Sequence, residues 1–122
     1  MNKFITKFTI LFFLLTNNII ADNHIMILKL KDGDVKIELF EDVAPNHVKR
    51  IKQLAQDGQY DGVVFHRVID GFVAQTGDVK FGNSSNDKFN LRRVGMGGSD
   101  LPDLKEEFSD LFNERGTVLM AR

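Results

Sequence analysis

Twice in this chain an Asp-Gly step separates two runs of β-forming residues, at Asp32-Gly33 and again at Asp70-Gly71. Asp-Gly between apolar, branched or alternating runs is a strong short-range signal for a β-hairpin. The first hairpin is expected to join residues 25–30 (IMILKL) to a strand in which Val35, Ile37 and Leu39 alternate with Lys36 and Glu38. That period of two marks a half-buried strand. The second is expected to join residues 63–69 (VVFHRVI) to a return strand over residues 72–76. Between the hairpins, Pro45 suits the first turn of a helix, where its missing N–H costs nothing. Val48, Ile51, Leu54 and Ala55 then recur at helical spacing, and Gly58 is a natural terminator. This predicts a helix over residues 45–57, with His47 on its solvated polar side. Residues 80–98 are polar and glycine-rich (GNSSND, GMGG) and read as a long surface loop; loops of that length in compact domains are often functional. Residues 101–112 are mixed, suiting a short turn or helix, and residues 117–121 (TVLMA) form another strand candidate. The chain carries no internal repeat and no linker.

The second hairpin concentrates the chemistry. Side chains alternate across a strand, so Phe65, Arg67 and Ile69 share one face, and Val64, His66 and Val68 the other. Loop length decides what faces Arg67. A two-residue loop, Asp70-Gly71, pairs it with Ala74. A three-residue loop ending at Phe72 pairs it with Gln75, and both lengths are common. The second choice sets a guanidinium beside a carboxamide, with Phe72 at the bend. A fixed cation beside an apolar surface suits recognition of an amide. It does not suit hydrolysis, for no nucleophile or paired carboxylates accompany it. Taken singly, the same residues have plainer readings: Arg67 as a surface ion-pair partner, Phe72 as core, His66 as a hydrogen-bonded structural residue, and Gly77-Asp78 as a turn.

Composition narrows the function classes. The 122 residues allow one domain. Lys3 and Lys7 precede an apolar stretch, FTILFFLL, and a small residue, Ala21. This is the pattern of a secretory signal cleaved after Ala21, leaving a mature domain over residues 22–122. The apolar run is shorter than the roughly 20 residues a membrane span requires, so no span is expected after cleavage. Removing Lys3 and Lys7 leaves 14 basic and 17 acidic residues, a net charge of −3. With no basic surplus, nucleic acid is not an expected partner. The short clusters at Lys49-Arg50-Ile51-Lys52 and Arg92-Arg93 read as solvated faces. His24, His47 and His66 are too scattered to suggest a metal site. Cysteine is absent, so stability in an exported protein must come from the core, for which seven of the eleven phenylalanines, those after Ala21, supply material.

The segment YDGVVFHRVIDGFVAQTGD, followed by GMGGSDLPDLKEEF and RGTVLMAR, resembles the signature of the cyclophilin-type peptidyl-prolyl cis-trans isomerases. The match extends over nearly all of the chain after the signal, and the GNSSND insertion with RGTV-MAR looks bacterial. The resemblance implies a mainly β fold, an antiparallel eight-stranded barrel with two capping helices. It also implies an enzyme that accelerates rotation about Xaa-Pro peptide bonds without any cofactor. Arg67 matches the catalytic arginine, and Gln75 the glutamine that holds the substrate backbone and the arginine. Phe72 and Val73 match the floor of the proline pocket, where the family often has methionine at Val73. Ala121 and Arg122 match the strand that contacts the peptide, though many members carry asparagine where Arg122 stands. His66 lies adjacent to the site. The implied partners are proline-containing segments of folding proteins and cyclosporin-like cyclic peptides, bound by a monomer.

The family domain continues past the position of Arg122 with further pocket aromatics, a leucine, a histidine and the closing strands and helix. The chain is therefore expected to be an N-terminal part of the domain, with an incomplete barrel. Open strand edges favour unfolding or aggregation. The genomic reading frame is expected to continue beyond Arg122 with an aromatic-rich segment. A peptide-binding chaperone module and a structural β-domain are the rival readings of the same hairpin. With the signal pattern, the expected location is the periplasm rather than the cytoplasm. N-terminal sequencing of exported protein should begin at Asp22; material that begins at Met1 would overturn the cleavage.

Overall fold

A computed structural model describes residues 24–121, so the signal segment and Arg122 lie outside the described residues. Two antiparallel hairpins flank one helix. The strands are β1 (Ile25–Leu30), β2 (Gly33–Glu38), β3 (Arg67–Ile69) and β4 (Val73–Gln75), and the helix α1 spans Pro45–Gln56. The described residues form two separate two-stranded sheets, β1-β2 and β3-β4, rather than a closed barrel, and α1 is the one helix among them.

In the first hairpin Leu30 faces Gly33, so Lys31-Asp32 form the two-residue loop. Met26 faces Ile37 and Leu28 faces Val35. These four apolar residues share one face, which is the alternation expected from the sequence. The helix begins at Pro45 as predicted and ends at Gln56, one residue early. Its end is a Schellman motif: the Gly58 N–H donates to the Ala55 carbonyl (3.1 Å) and the Gln59 N–H to that of Leu54 (2.9 Å). Val48 and Leu54 are the buried apolar residues among those described, at 6% and 8% exposure.

The start of α1 lacks a local cap, since the side chain of Ala44 cannot accept a hydrogen bond. The Glu107 carboxylate supplies one from 61 residues away. Its Oε1 accepts from the Asn46 N–H (3.0 Å) and Asn46 Nδ2 (2.6 Å). Its Oε2 accepts from the His47 N–H (3.0 Å) and His47 Nδ1 (2.8 Å). A carboxylate at this end also meets the positive pole of the helix dipole. The Arg50 guanidinium adds a bond to the Pro102 carbonyl at 2.8 Å. His47 is therefore a half-buried partner of Glu107, not a solvated side chain. Lys52 likewise pairs with Glu41 at 3.0 Å.

Three further expectations are corrected. Residues 63–69 do not form one strand, because their two ends have different neighbours. Val63 bridges to Asn83, while Arg67–Ile69 pairs with β4. Residues 117–121 form no strand, since no described strand lies beside them to complete a ladder. Residues 101–112 contain neither helix nor strand and are tied down by the polar contacts to α1.

Burial alone would raise the Glu107 carboxyl, but the donors on His47 and Asn46 outweigh it and hold the group at about 2, against 4.5 ordinarily. A depressed folded value means the latch contributes its full stability above about pH 4.5 and loses it as pH falls toward 2. Replacing Glu107 with Gln should remove that contribution. The difference in thermal midpoint between the parent full-length protein and Glu107→Gln should therefore shrink between about pH 5 and about pH 2. An unchanged difference across that range would show that the carboxylate charge is not what caps α1.

Candidate functional site

The loop of the second hairpin has three residues. Arg67 faces Gln75, Val68 faces Ala74, and Ile69 faces Val73. The Phe72 N–H closes a turn onto the Ile69 carbonyl at 3.1 Å, with Gly71 at φ +69. A turn with positive φ only at its third position is of type II, which calls for glycine there. Of the two loop lengths the sequence left open, the longer one forms. Phe72 consequently stands at the bend, 74% exposed, and the Arg67 guanidinium lies 5.6 Å from its ring centroid. That is cation–π range, worth about 0.5–1 kcal/mol at an exposed site. Phe72 is thus not a core residue, and Arg67 contacts an aromatic ring rather than a carboxylate.

Gln75 and Val73 are half-buried on the return strand, and Arg67 is exposed. The His66 N–H also reaches the Gln75 carbonyl, at 3.0 Å. Two successive residues, His66 and Arg67, therefore lie against one, the arrangement of a β-bulge. Bulges bend a strand and re-aim its side chains, here at the arginine. His66 is half-buried with its Nδ1 inaccessible and without a hydrogen-bond partner. The hydrogen bond His66 does make is through its backbone N–H, to Gln75. Ala121 is exposed, outside any strand, and no sheet pairing joins it to the hairpin; Arg122 lies outside the described residues. The structure thus brings together Arg67, Phe72, Val73, Gln75 and His66, but not Ala121.

Three residues after β4 stands Asp78, which is more than the turn former its sequence context suggests. Asp78 is only 2% exposed. Its Oδ1 accepts from the Lys80 and Phe81 N–H groups (3.0 and 2.9 Å), and its Oδ2 from those of Gly95 and Gly97 (2.7 and 3.1 Å). Burial alone would raise this carboxyl, but the N–H donors of Phe81, Gly97, Gly95 and Lys80 hold it below the ordinary carboxylate range. The donors at Lys80 and Phe81, two and three residues on, are the part the sequence could have revealed.

The polar loop that follows is ordered by its own asparagines. Asn83, Asn86 and Asn90 each accept, through Oδ1, the N–H two residues on, the Asx-turn pattern. Arg93 stacks over Phe81 with its guanidinium 3.9 Å from the ring centroid, so it is not simply a solvated charge. Among the described residues no cluster of three or more His, Asp or Glu side chains could hold a metal ion, and no helix is long and apolar enough to cross a membrane.

Comparison with known proteins gives a consistent result. The profile described as "Cyclophilin type peptidyl-prolyl cis-trans isomerase/CLD" matches residues 25–122. A Brucella suis protein named "Probable peptidyl-prolyl cis-trans isomerase" is 62% identical over 97 residues, covering 80% of this chain and 49% of its own length. A Brucella abortus protein of the same name is 61% identical over the same shares. A Staphylococcus epidermidis protein, whose name also carries "peptidyl-prolyl cis-trans isomerase", is 36% identical over 109 residues, covering 86% of this chain and 49% of its own length. The chain spans about half the length of these curated relatives. No solved structure gives a significant match.

Proposed function

The chain belongs to the cyclophilin-type peptidyl-prolyl cis-trans isomerase family, and we propose that the protein carrying it accelerates rotation about Xaa-Pro bonds in exported, folding polypeptides. The observation that carries this reading is the hairpin register, which sets Arg67 opposite Gln75 with Phe72 at the bend. In this reading the two hairpins and α1 are parts of an antiparallel eight-stranded barrel capped by two helices. Phe72 and Val73 form the floor of the proline pocket, and His66 borders it. Ala121 and Arg122 are the positions assigned to peptide contact in this reading. The N-terminal signal pattern supports a periplasmic location.

The chemistry asks little of the protein except placement. The barrier to rotation is about 18–20 kcal/mol, because the C–N bond has partial double-bond character. No covalent bond breaks, so neither nucleophile nor cofactor is required. As the bond twists, the prolyl nitrogen leaves resonance and regains a lone pair. A donor placed at that nitrogen binds the twisted state better than either planar state, which is the requirement for catalysis. The Arg67 guanidinium is that donor. Gln75 holds the substrate backbone, and the aromatic floor removes water from the prolyl ring.

Magnitudes limit what Arg67 does alone. One preorganised donor contributes about 2.7–4 kcal/mol, whereas a millionfold acceleration requires about 8 kcal/mol. Desolvation over Phe72 and Val73 and the hold of Gln75 make up the difference. In the full-length protein, Arg67→Ala should lower kcat/KM on an Xaa-Pro peptide by about 10²–10³-fold, the loss expected for one such donor. Peptide binding should persist. Unchanged turnover would remove Arg67 from the mechanism. A parent protein that binds proline peptides without turning them over would instead be a chaperone module.

A further inference from the structure

The mechanism leaves one nearly inaccessible ionisable group unused. Asp78 lies three residues beyond Gln75, and its carboxylate gathers two separate stretches of chain. One oxygen holds the turn at Lys80 and Phe81; the other holds the glycine loop at Gly95 and Gly97. Both stretches lead back to the strand that carries Arg67. Along the first, the Gly82 N–H donates to the Asp78 carbonyl (3.0 Å), and the Gly82 carbonyl accepts the Val64 N–H (2.9 Å). The Val64 carbonyl in turn accepts the Thr76 hydroxyl (2.9 Å), linking both sides of the hairpin base. Along the second, Gly95 packs on the His66 ring so closely that an added Cβ would fall 2.6 Å from His66 Cδ2. Both routes converge on residues 64–66, immediately before Arg67.

We propose that Asp78 is a positioning residue for Arg67, fixing the approach of the arginine's strand through the Gly82–Val64 link and the Gly95–His66 contact. The proposal rests on the reading of Arg67 as the catalytic arginine. Asp78 touches neither substrate nor the reacting bond. Its carboxylate has two oxygens, each accepting two N–H groups, and no neutral side chain of the same shape does this. Asparagine keeps one acceptor and turns an NH2 toward two backbone donors. The loop on that side would then lose its anchor, and the His66 ring its backing.

The test is a double-mutant cycle in the full-length protein, with kcat and KM read on an Xaa-Pro peptide. A small misplacement at a catalytic group costs up to about a hundredfold in rate. Asp78→Asn should therefore lower kcat at least about tenfold, with KM changed less than about twofold. In an Arg67→Ala background the same substitution should cost less than about twofold, because coupled residues are not additive. Equal losses in both backgrounds would make Asp78 a general support of the fold and overturn the proposal. If Arg67→Ala alone equals the parent, the reading of Arg67 fails, and the proposal fails with it. Should Asp78→Asn not fold, Gly95→Ala keeps the carboxylate but strains the backbone at φ +92 and drives a methyl into His66, loosening the same loop from the other side. It should show the same selective loss in kcat, and an unchanged kcat would equally overturn the proposal.

Discussion

The described part of this protein depends on a buried carboxylate. Asp78 satisfies four backbone N–H groups on two stretches of chain that are otherwise turns and loop. A buried charge is costly unless its hydrogen-bonding capacity is filled. Here the donors are amides whose positions the chain must hold for the charge to be tolerated. The dependence is mutual: the loop orders around the carboxylate, and the carboxylate stays ionised because the loop surrounds it. Glycine at positions 95 and 97 follows from the same crowding. An added Cβ at Gly97 would meet Asp78 Oδ1 at 2.6 Å, as one at Gly95 would meet His66.

Glu107 repeats the device at the other end of the described chain. Four donors on Asn46 and His47 point at one carboxylate, and this joins residues 101–112 to α1 without any shared secondary structure. These two acidic groups matter because the apolar burial is small. Val48 and Leu54 are buried, while Phe72, Phe108, Phe112, Leu91 and Met96 stand largely exposed. A fully buried Val or Leu contributes about 1.5–3 kcal/mol. Two such residues do not by themselves fix long loops in place. Charge-assisted bonds from backbone N–H groups to these two carboxylates supply the local order instead.

What the sequence disclosed and what it hid divide along chain separation. The turns at residues 31–32 and 70–72, the face shared by Val35 and Ile37, and the start of α1 at Pro45 are local matters. So is the pairing of Arg67 with Gln75, once the loop length is settled by the turn at Gly71. The cap on α1 comes from 61 residues away, and no propensity at Ala44 announces it. The Asp78 bonds to Gly95 and Gly97 span 17 and 19 residues, so only the two nearer ones were implicit in a turn-forming Asp. Residues 63–69 are β-forming throughout yet do not pair as one strand, because β-propensity reports what a segment tolerates, not which neighbours it finds. Family resemblance named Arg67, Phe72, Val73 and Gln75 together, which the residues singly did not.

The shortness of β3 and β4 makes the outside support intelligible. Each has three residues, and an isolated two-stranded hairpin is only marginally stable in water. Phe72, Val68 and Ile69 are exposed, so the hairpin does not hold itself by packing among the described residues. Under the proposed isomerase reading the reaction breaks no bond and has only placement to work with, which a three-residue ladder provides poorly alone. The contacts that tie the hairpin to the rest of the described chain lie at its base, where Val64 meets Gly82 and Thr76, and His66 meets Gly95. The bulge at His66 and Arg67 lies between that fixed base and the free bend. There the strand departs from regular pairing, between the Gly82 and Gly95 contacts on one side and the exposed Phe72 on the other.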